Sequence, residues 1–385
     1  VLEPLHRARA SAWAKGWTVL AVLLPLASVV LLLAGTAAAP DPRPQPSPAP
    51  SCEPSGPVPG PYCPVPEPGS LRALAAERDL FIGSAASAQA LAQDPKYASV
   101  LAREFSMVTP EDAMKWPRIE PQAGQHDWSD ADRVVEVARA NGQTVYGHAL
   151  LWYASTPAWL ADGSLSDAQI REAVHRHIAE EAGRYRGRIW GWDVVNEPLE
   201  ADGRLRRTAW SKAMGPDWIA DAFRAARAAD PHAKLFLNEF GVDGDGAKSD
   251  AFYELVRGLV KKGVPIDGVG FQSHVDLTPV PEHRVENLRR FAALGLDVAI
   301  TEVDVRLILP PTAAKLKKQA EVYRRTLQDC LAVPECVSFT VWGFTDRYSW
   351  IPNLQSGAGM ACLFDAELVP KPAYAAVAGA LSRAP

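Results

Sequence analysis

Two glutamates stand out by the residues around them. Glu197 lies in Trp192–Pro198 (WDVVNEP) and Glu302 in Thr301–Asp304 (TEVD), each at the end of a short apolar run. A pair of carboxyl groups facing each other across a cleft suits cleavage of a glycosidic bond. One, protonated, helps the leaving oxygen depart; the other, ionised, attacks the sugar carbon or activates water. Further polar groups close further apolar runs: Glu111, Asp112 and Lys115; His148 and Trp152; Asn196 beside Glu197; Asn238 and Glu239; Gln272, Ser273 and His274; Asp304; and Trp342, followed by Asp346 and Trp350. Indole faces pack on the C–H surface of a sugar ring, and amides and charged groups bond its hydroxyls. There is no Gly-rich phosphate cradle, since Phe81–Ser87 reads FIGSAAS and lacks the dinucleotide spacing.

Residues so far apart in the chain meet only if the elements before them are arranged in a ring. Apolar runs predict strands near Leu80–Ser84, Glu104–Val108, Thr144–Ala149, Trp190–Val195, Ala233–Leu237, Asp267–Phe271, Asp297–Thr301 and Val337–Trp342. Helical spacing of apolar residues marks Asp130–Ala140, Asp167–Tyr185, Ala251–Val260 and Lys315–Leu331 between them. Strand and helix alternating about eight times predict an α/β fold of the (β/α)8 barrel type over residues 69–385, with a doubly wound open sheet as the competitor. In such a barrel the polar residues at the C-terminal strand ends share one mouth, with Glu197 after the fourth strand and Glu302 on the seventh, on opposite sides.

The rest of the chain has a different character. Of 33 prolines, 13 fall between Pro40 and Pro68, which predicts an extended, semi-rigid linker over 40–68. Before it, Arg7, Arg9 and Lys15 precede the uncharged run Trp17–Ala34 and the small residues Thr36–Ala39. That order reads as an export signal or, at this length, a retained membrane anchor over 1–39. Either places the barrel outside the cytoplasm, secreted or held at the membrane by this segment alone. A net charge of −5, from 40 basic and 45 acidic residues, with no basic run, excludes a nucleic-acid binder. The five cysteines include two close pairs, Cys52 with Cys63 and Cys330 with Cys336, and leave Cys362 over. An oxidising compartment would permit a Cys52–Cys63 disulfide. No pair has zinc-ligand spacing with histidines. Asp243, Asp245 and Glu254 fit three positions of a calcium loop, but Lys248 stands where that loop needs glycine. No metal and no cofactor are expected, and the chain is expected to act as a monomer.

Several motifs taken together carry a resemblance. Phe105–Trp116 (FSMVTPEDAMKW), Gly147–Trp152 (GHALLW), Trp192–Pro198, Gly270–His274 (GFQSH), Thr301–Asp304, Trp342–Trp350 (WGFTDRYSW) and Pro370–Tyr374 (PKPAY) follow one another as in family 10 glycoside hydrolases. The chain resembles that endo-β-1,4-xylanase family over essentially all of 69–385. The resemblance implies a retaining double displacement on β-1,4-xylan, with Glu197 as general acid/base and Glu302 as nucleophile, their carboxyls about 5–5.5 Å apart. It implies that His274 orients Glu302 with Asp304 behind it, that Asn196 binds the 2-hydroxyl of the sugar under attack, and that Gln272 lies close to Glu197. Glu111, Lys115, His148, Trp152, Trp342 and Trp350 would contact the sugar chain. A Cys330–Cys336 disulfide is likewise implied.

The departures from the family pattern cluster. Tyr153, Ala154 and Ser155 stand for the usual His-Ser-Gln, Ser106 and Asp112 for asparagines, and Glu239, Phe240 and Gly241 for Asp-Tyr-Asn. Asp112 and Ser155 would meet the sugar before the cleaved one; Phe240 and Gly241 would meet the sugar after it. The alternatives are therefore a β-glycanase acting on another β-1,4-linked or decorated substrate, and a carbohydrate-binding barrel without turnover.

Overall fold

The computed structural model describes residues 66–382. Eight parallel strands form the wall of a barrel: β1 (Phe81–Ala86), β2 (Met107–Pro110), β3 (Thr144–Gly147), β4 (Gly191–Asn196), β5 (Lys234–Glu239), β6 (Gly268–Phe271), β7 (Asp297–Val305) and β8 (Cys336–Val341). Each pairs with the next, and β8 returns to β1 through Phe81↔Ser338 to Ser84↔Val341, closing the ring. The open doubly wound sheet is thereby excluded. All eight expected strands are present, with shifted ends. β2 starts at Met107 because the helix Pro95–Glu104 runs to the residue expected to open it. β3 stops at Gly147, because His148 leaves the ladder to bond Asp193 and the chain returns with Leu150 N on Asp193 O.

The helices between the strands bury the faces their periodicity marked. The helix Asp167–Arg184 begins at a Ser166–Gln169 capping box and buries Ile170, Val174, Ile178 and Ala182. Ser129–Ala140, Ala247–Lys261 and Ala313–Leu331 match the other three expectations within a few residues. A second, smaller apolar cluster of Met107, Tyr146, Phe236 and Ala299 comes wholly from strands. The Tyr146 ring belongs to that cluster while its hydroxyl donates to Asp193, so strand packing and the polar mouth share one side chain.

The Cys330–Cys336 disulfide is present, and Cys362 is a buried free thiol. Cys52, Cys63 and the apolar run Trp17–Ala34 lie outside the described residues. Among the described residues no helix is long and apolar enough to cross a membrane.

Register decides which side chains share a level. Asn196 on β4 pairs with Asn238 on β5, and Asn238 with Gly270 on β6. A Cβ on Gly270 would lie 2.1 Å from Asn238 Oδ1 and 3.0 Å from Thr301 Cγ2. The missing side chain is the space Asn238 occupies. Gly270→Ala is expected to destabilise the fold by about 1–3 kcal/mol and, by displacing Asn238, to lower kcat by about tenfold or more. Chemical denaturation beside steady-state kinetics checks both, and unchanged turnover would show that the seat of Asn238 does not matter.

Candidate active site

Glu302 sits near the end of β7 and is 4 % exposed. Its Oε1 accepts from Asn238 Nδ2 at 2.7 Å, and its Oε2 from His274 Nε2 at 3.0 Å. The other imidazole nitrogen of His274 faces Asp304 Oδ2 at 2.9 Å, and Trp350 Nε1 donates to the same oxygen at 2.8 Å. Burial works against charge on His274, but the carboxylates of Asp304 and Glu302 at its two nitrogens prevail and push it up to about 10. At neutral pH it is therefore an imidazolium donating in both directions. Burial would likewise raise Glu302, yet the bond from His274, the neighbouring His148 and His274, and the Asn238 amide together hold it below the usual glutamate range.

Glu197 follows β4 directly and is 8 % exposed. Its backbone has φ 55°, a region that side-chain-bearing residues rarely adopt. Its N–H donates to Asn238 O at 2.8 Å. Its Oε1 accepts from Gln272 Nε2 at 2.9 Å, and the same Gln272 nitrogen reaches Asn196 Oδ1 at 3.2 Å. Asn238 Nδ2 also donates to Asn196 Oδ1, at 3.0 Å, while Thr301 Oγ1 donates to Asn238 Oδ1 at 2.8 Å and fixes the amide's orientation. An unbroken run of hydrogen bonds thus leads from Glu197 through Gln272, Asn196 and Asn238 to Glu302. Among the described residues the NH2 of Asn196 meets no acceptor, which leaves it available to a ligand hydroxyl.

Beside Glu302, His148 Nδ1 lies 2.8 Å from Asp193 Oδ2, and Tyr146 donates to Asp193 Oδ1 at 2.6 Å. Burial raises the Asp193 carboxyl, with His148 and Tyr146 opposing it. Atoms of His148, Asp193 and Glu302 lie within 4.8 Å of one another. Such a trio could accept a cation, but each member is already hydrogen-bonded within the protein. Trp342 packs edge-on against His148 at 4.9 Å, and Trp350 lies 5.0 Å from His274. Trp152 approaches His148 at 6.2 Å and carries Lys115 Nζ 4.7 Å from its ring centre. The Nε1 of Trp152 is buried without a partner among the described residues.

Nine expected residues therefore form one connected cluster: Glu197, Glu302, Asn196, Gln272, His274, Asp304, His148, Trp342 and Trp350. Trp152 and Lys115 adjoin it. Lys115 pairs with Asp112 at 2.7 Å; Glu111 makes no side-chain bond among the described residues, and burial with the nearby Asp112 pushes it up to about 7. Asp346, expected at the mouth, instead pairs with the buried Lys371 at 2.9 Å and accepts from Cys362 N; it braces the loop after β8. Sequence reasoning missed the roles of Asn238, Asp193 and Tyr146. Asn238 was visible as a polar strand end and Asp193 as a member of the Trp192–Pro198 motif, whereas nothing in the sequence marks Tyr146.

The model of glycosyl hydrolase family 10 matches residues 70–380. The chain belongs to that family. It is 43% identical over 271 residues to an endo-1,4-beta-xylanase of Agaricus bisporus, covering 70% of this chain and 81% of the relative. It is 40% identical to endo-1,4-beta-xylanase B of Thermotoga neapolitana, over 80% of this chain and 90% of the relative. Native xylanase 10B from Thermotoga maritima superposes with a TM-score of 0.79 at 40% identity, over 81% of this chain and 98% of that one. Xylanase 10B of Thermotoga petrophila, solved in complex with xylobiose, gives the same TM-score at 38% identity, covering 84% and 98%. Against that family background most departures are exposed, Tyr153 to 39 % and Phe240 to 36 %, but Glu239 is fully buried and bonds Leu199 N and Lys248.

Protonation at Glu302 has a definite sign. Its carboxyl is lowered, so it stays ionised as pH falls into the range where an ordinary glutamate gains a proton. The stability it contributes is present above that range and lost as pH falls through its folded value. For His274 the contribution is complete below about 6.5 and fades as pH rises through about 10. If Glu302 must be ionised for turnover, His274→Gln is expected to move the acid limb of kcat/KM to higher pH. A pH–rate profile checks this, and an unmoved limb would break the link between the two residues.

Proposed function

We propose that this protein is a retaining endo-β-1,4-xylanase, with Glu302 as nucleophile and Glu197 as general acid/base. The observation that carries the reading is the division of partners between the two carboxyls. Glu302 is held by an imidazolium and an amide, Glu197 by a neutral amide. The ionised group thus has the cationic partner, and the group that must carry a proton in the first step has none. In that step a Glu302 oxygen attacks C1 of the sugar, the glycosidic C–O bond breaks, and the Glu197 proton passes to the leaving oxygen. In the second, Glu197 takes a proton from water, the water oxygen bonds to C1, and Glu302 leaves as carboxylate. Two inversions retain configuration. Asn196, with its NH2 free, is assigned to the 2-hydroxyl of the attacked sugar, and Trp152, Trp342 and Trp350 to its apolar faces. Lys115 and Glu111 are assigned to hydroxyls of the preceding sugar, where the Glu111 carboxyl is unspent.

Xylan as the substrate is supported by the names of the relatives and by the xylobiose complex of the Thermotoga petrophila enzyme. We further propose that the barrel acts as a monomer outside the cytoplasm, behind the proline-rich linker of 40–68 and the export or anchor segment of 1–39.

Residues 69–385 are expected to hydrolyse xylan and aryl β-xylobiosides. Glu302→Ala is expected to lose about a thousandfold or more of that activity. Azide should restore turnover to Glu302→Ala with an inverted glycosyl azide as product. Undiminished activity in Glu302→Ala would refute the mechanism; activity on β-glucans with none on xylan would refute the substrate.

A further inference from the structure

Glu197 holds its carboxyl over the site from a backbone position that only tertiary contacts can maintain. At φ 55° the chain turns sharply out of β4, and a glutamate there gains nothing locally from the conformation. Asn238 O receives its N–H. Its carbonyl accepts from Arg206 Nε at 3.0 Å. Arg206 also closes the next link, since its backbone N–H donates to Pro198 O at 2.7 Å. Both bonds fall on the hairpin whose arms meet at Leu199↔Leu205, so one residue at its far end grips the two residues at its start.

Arg206 is itself fixed. Its Nη1 lies 2.8 Å from Glu200 Oε2, its guanidinium carbon sits 3.9 Å from the ring centre of Tyr153, and its side chain is 12 % exposed. A planar guanidinium stacked on an aromatic face and tied at one end to a carboxylate has little freedom left. The remaining Nε–H is thereby aimed at the Glu197 carbonyl. Tyr153 is one of the positions at which this chain departs from the family pattern.

From these contacts we infer that Arg206, held by Tyr153 and Glu200, is a positioning residue for proton transfer by Glu197. The inference rests on the reading of Glu197 as general acid/base. Arg206 bonds the backbone of Glu197 and Pro198 and the carboxylate of Glu200, not the Glu197 carboxyl. It fixes the carbonyl of the turn, the turn fixes the direction of the side chain, and the carboxyl stays within reach of the glycosidic oxygen. Loss of the clamp should therefore harm the steps that need the proton and spare a step that does not.

The test compares substrates by leaving group in the full-length protein. Hydrolysis of xylotetraose requires protonation of a poor leaving group; release of 2,4-dinitrophenolate from its β-xylobioside does not. Arg206→Met is expected to lower kcat/KM on xylotetraose by about 10- to 100-fold and on the dinitrophenyl glycoside by less than about threefold. Arg206→Lys should fall between Met and wild type. Tyr153→Ala and Glu200→Gln should shift the same ratio in the same direction by smaller factors. Azide should accelerate breakdown of the glycosyl-enzyme in Arg206→Met and give an azide of retained configuration. Equal losses on both substrates, or no loss on either, would overturn the positioning role. If Arg206→Met shows no cooperative thermal transition, Tyr153→Ala and Glu200→Gln decide, and an unchanged ratio in both overturns it. Wild-type protein inert on the dinitrophenyl glycoside, or Glu302→Ala as active as wild type, would instead refute the underlying assignment of the site.

Discussion

Everything at the mouth of the barrel hangs on one shared oxygen. Asn196 Oδ1 accepts from Gln272 and from Asn238 at once, and through those two amides the carboxyls of Glu197 and Glu302 are held in one frame. The arrangement is demanding because buried amides tolerate few orientations. Asn238 has its Oδ1 taken by Thr301 and its two N–H groups by Asn196 and Glu302, so turning it over would set its oxygen against two acceptors and break both of those bonds. Parallel register brings Asn196, Asn238 and the side-chain-free Gly270 onto one level. A slip of one residue would turn the alternate face inward and dissolve the frame. The closed barrel is thus the device that gives a row of short amides fixed partners.

Charge is distributed unevenly over that frame. On one side the chain Trp350, Asp304, His274, Glu302 alternates donor and acceptor and ends on the carboxylate. Two buried carboxylates flank one imidazole, which favours its protonation despite the loss of water. The cost of burying Asp304 is offset by His274 and by the indole N–H. On the other side, among the described residues, the Glu197 carboxyl bonds only the amide of Gln272. In the proposed reaction one carboxyl keeps its charge throughout the resting state while the other exchanges a proton. The protein expresses that difference through the partners it supplies, because the two side chains are chemically identical.

How much of this was legible in the residues depended on the range of the interaction. Apolar runs and helical spacing mark elements locally, so all eight strands and the four named helices were foreseeable, with errors where a neighbouring element competed for the boundary, as at Glu104. Glu197 and Glu302 were legible because each sits in a distinctive short motif at a strand end. The frame between them was not, because Asn238 differs from any other polar strand end only by what lies on the adjacent strands. Lys115 had two acidic neighbours, Glu111 and Asp112, and takes Asp112, three positions before it across a tight turn. Asp346 followed the Trp342 motif and looked like part of the mouth, but the buried Lys371, 25 residues on, claims it. Arg206 sits in a run with Arg204 and Arg207 that reads as a solvated loop; its partner is the backbone of Glu197, and backbone partners leave no mark in side-chain pattern.

Most departures from the family pattern fall on the exposed rim and leave the buried frame intact; Glu239, buried and paired with Lys248, is an exception. Glu197, Glu302, Asn196, Asn238, Gln272 and Asp304 are buried, whereas Asp112, Tyr153 and Phe240 are exposed. Exposed positions can change without breaking bonds inside the frame, and here they change in kind as well as size. Asp112 replaces an amide, which both donates and accepts, by a carboxylate, which only accepts and is already paired with Lys115. A sugar hydroxyl meeting it must donate. Phe240 offers an aromatic face without a hydroxyl, and Lys248 Nζ lies 3.5 Å from its ring centre while bonded to the buried Glu239. In the proposed reading, that rim offers the sugar after the cleaved bond a ring face rather than a hydroxyl partner. In the proposed reading, selection among β-linked chains is therefore separable from the bond-breaking step: the first rests on the exposed Asp112, Tyr153 and Phe240, the second on the buried, mutually bonded frame of Glu197, Gln272, Asn196, Asn238 and Glu302.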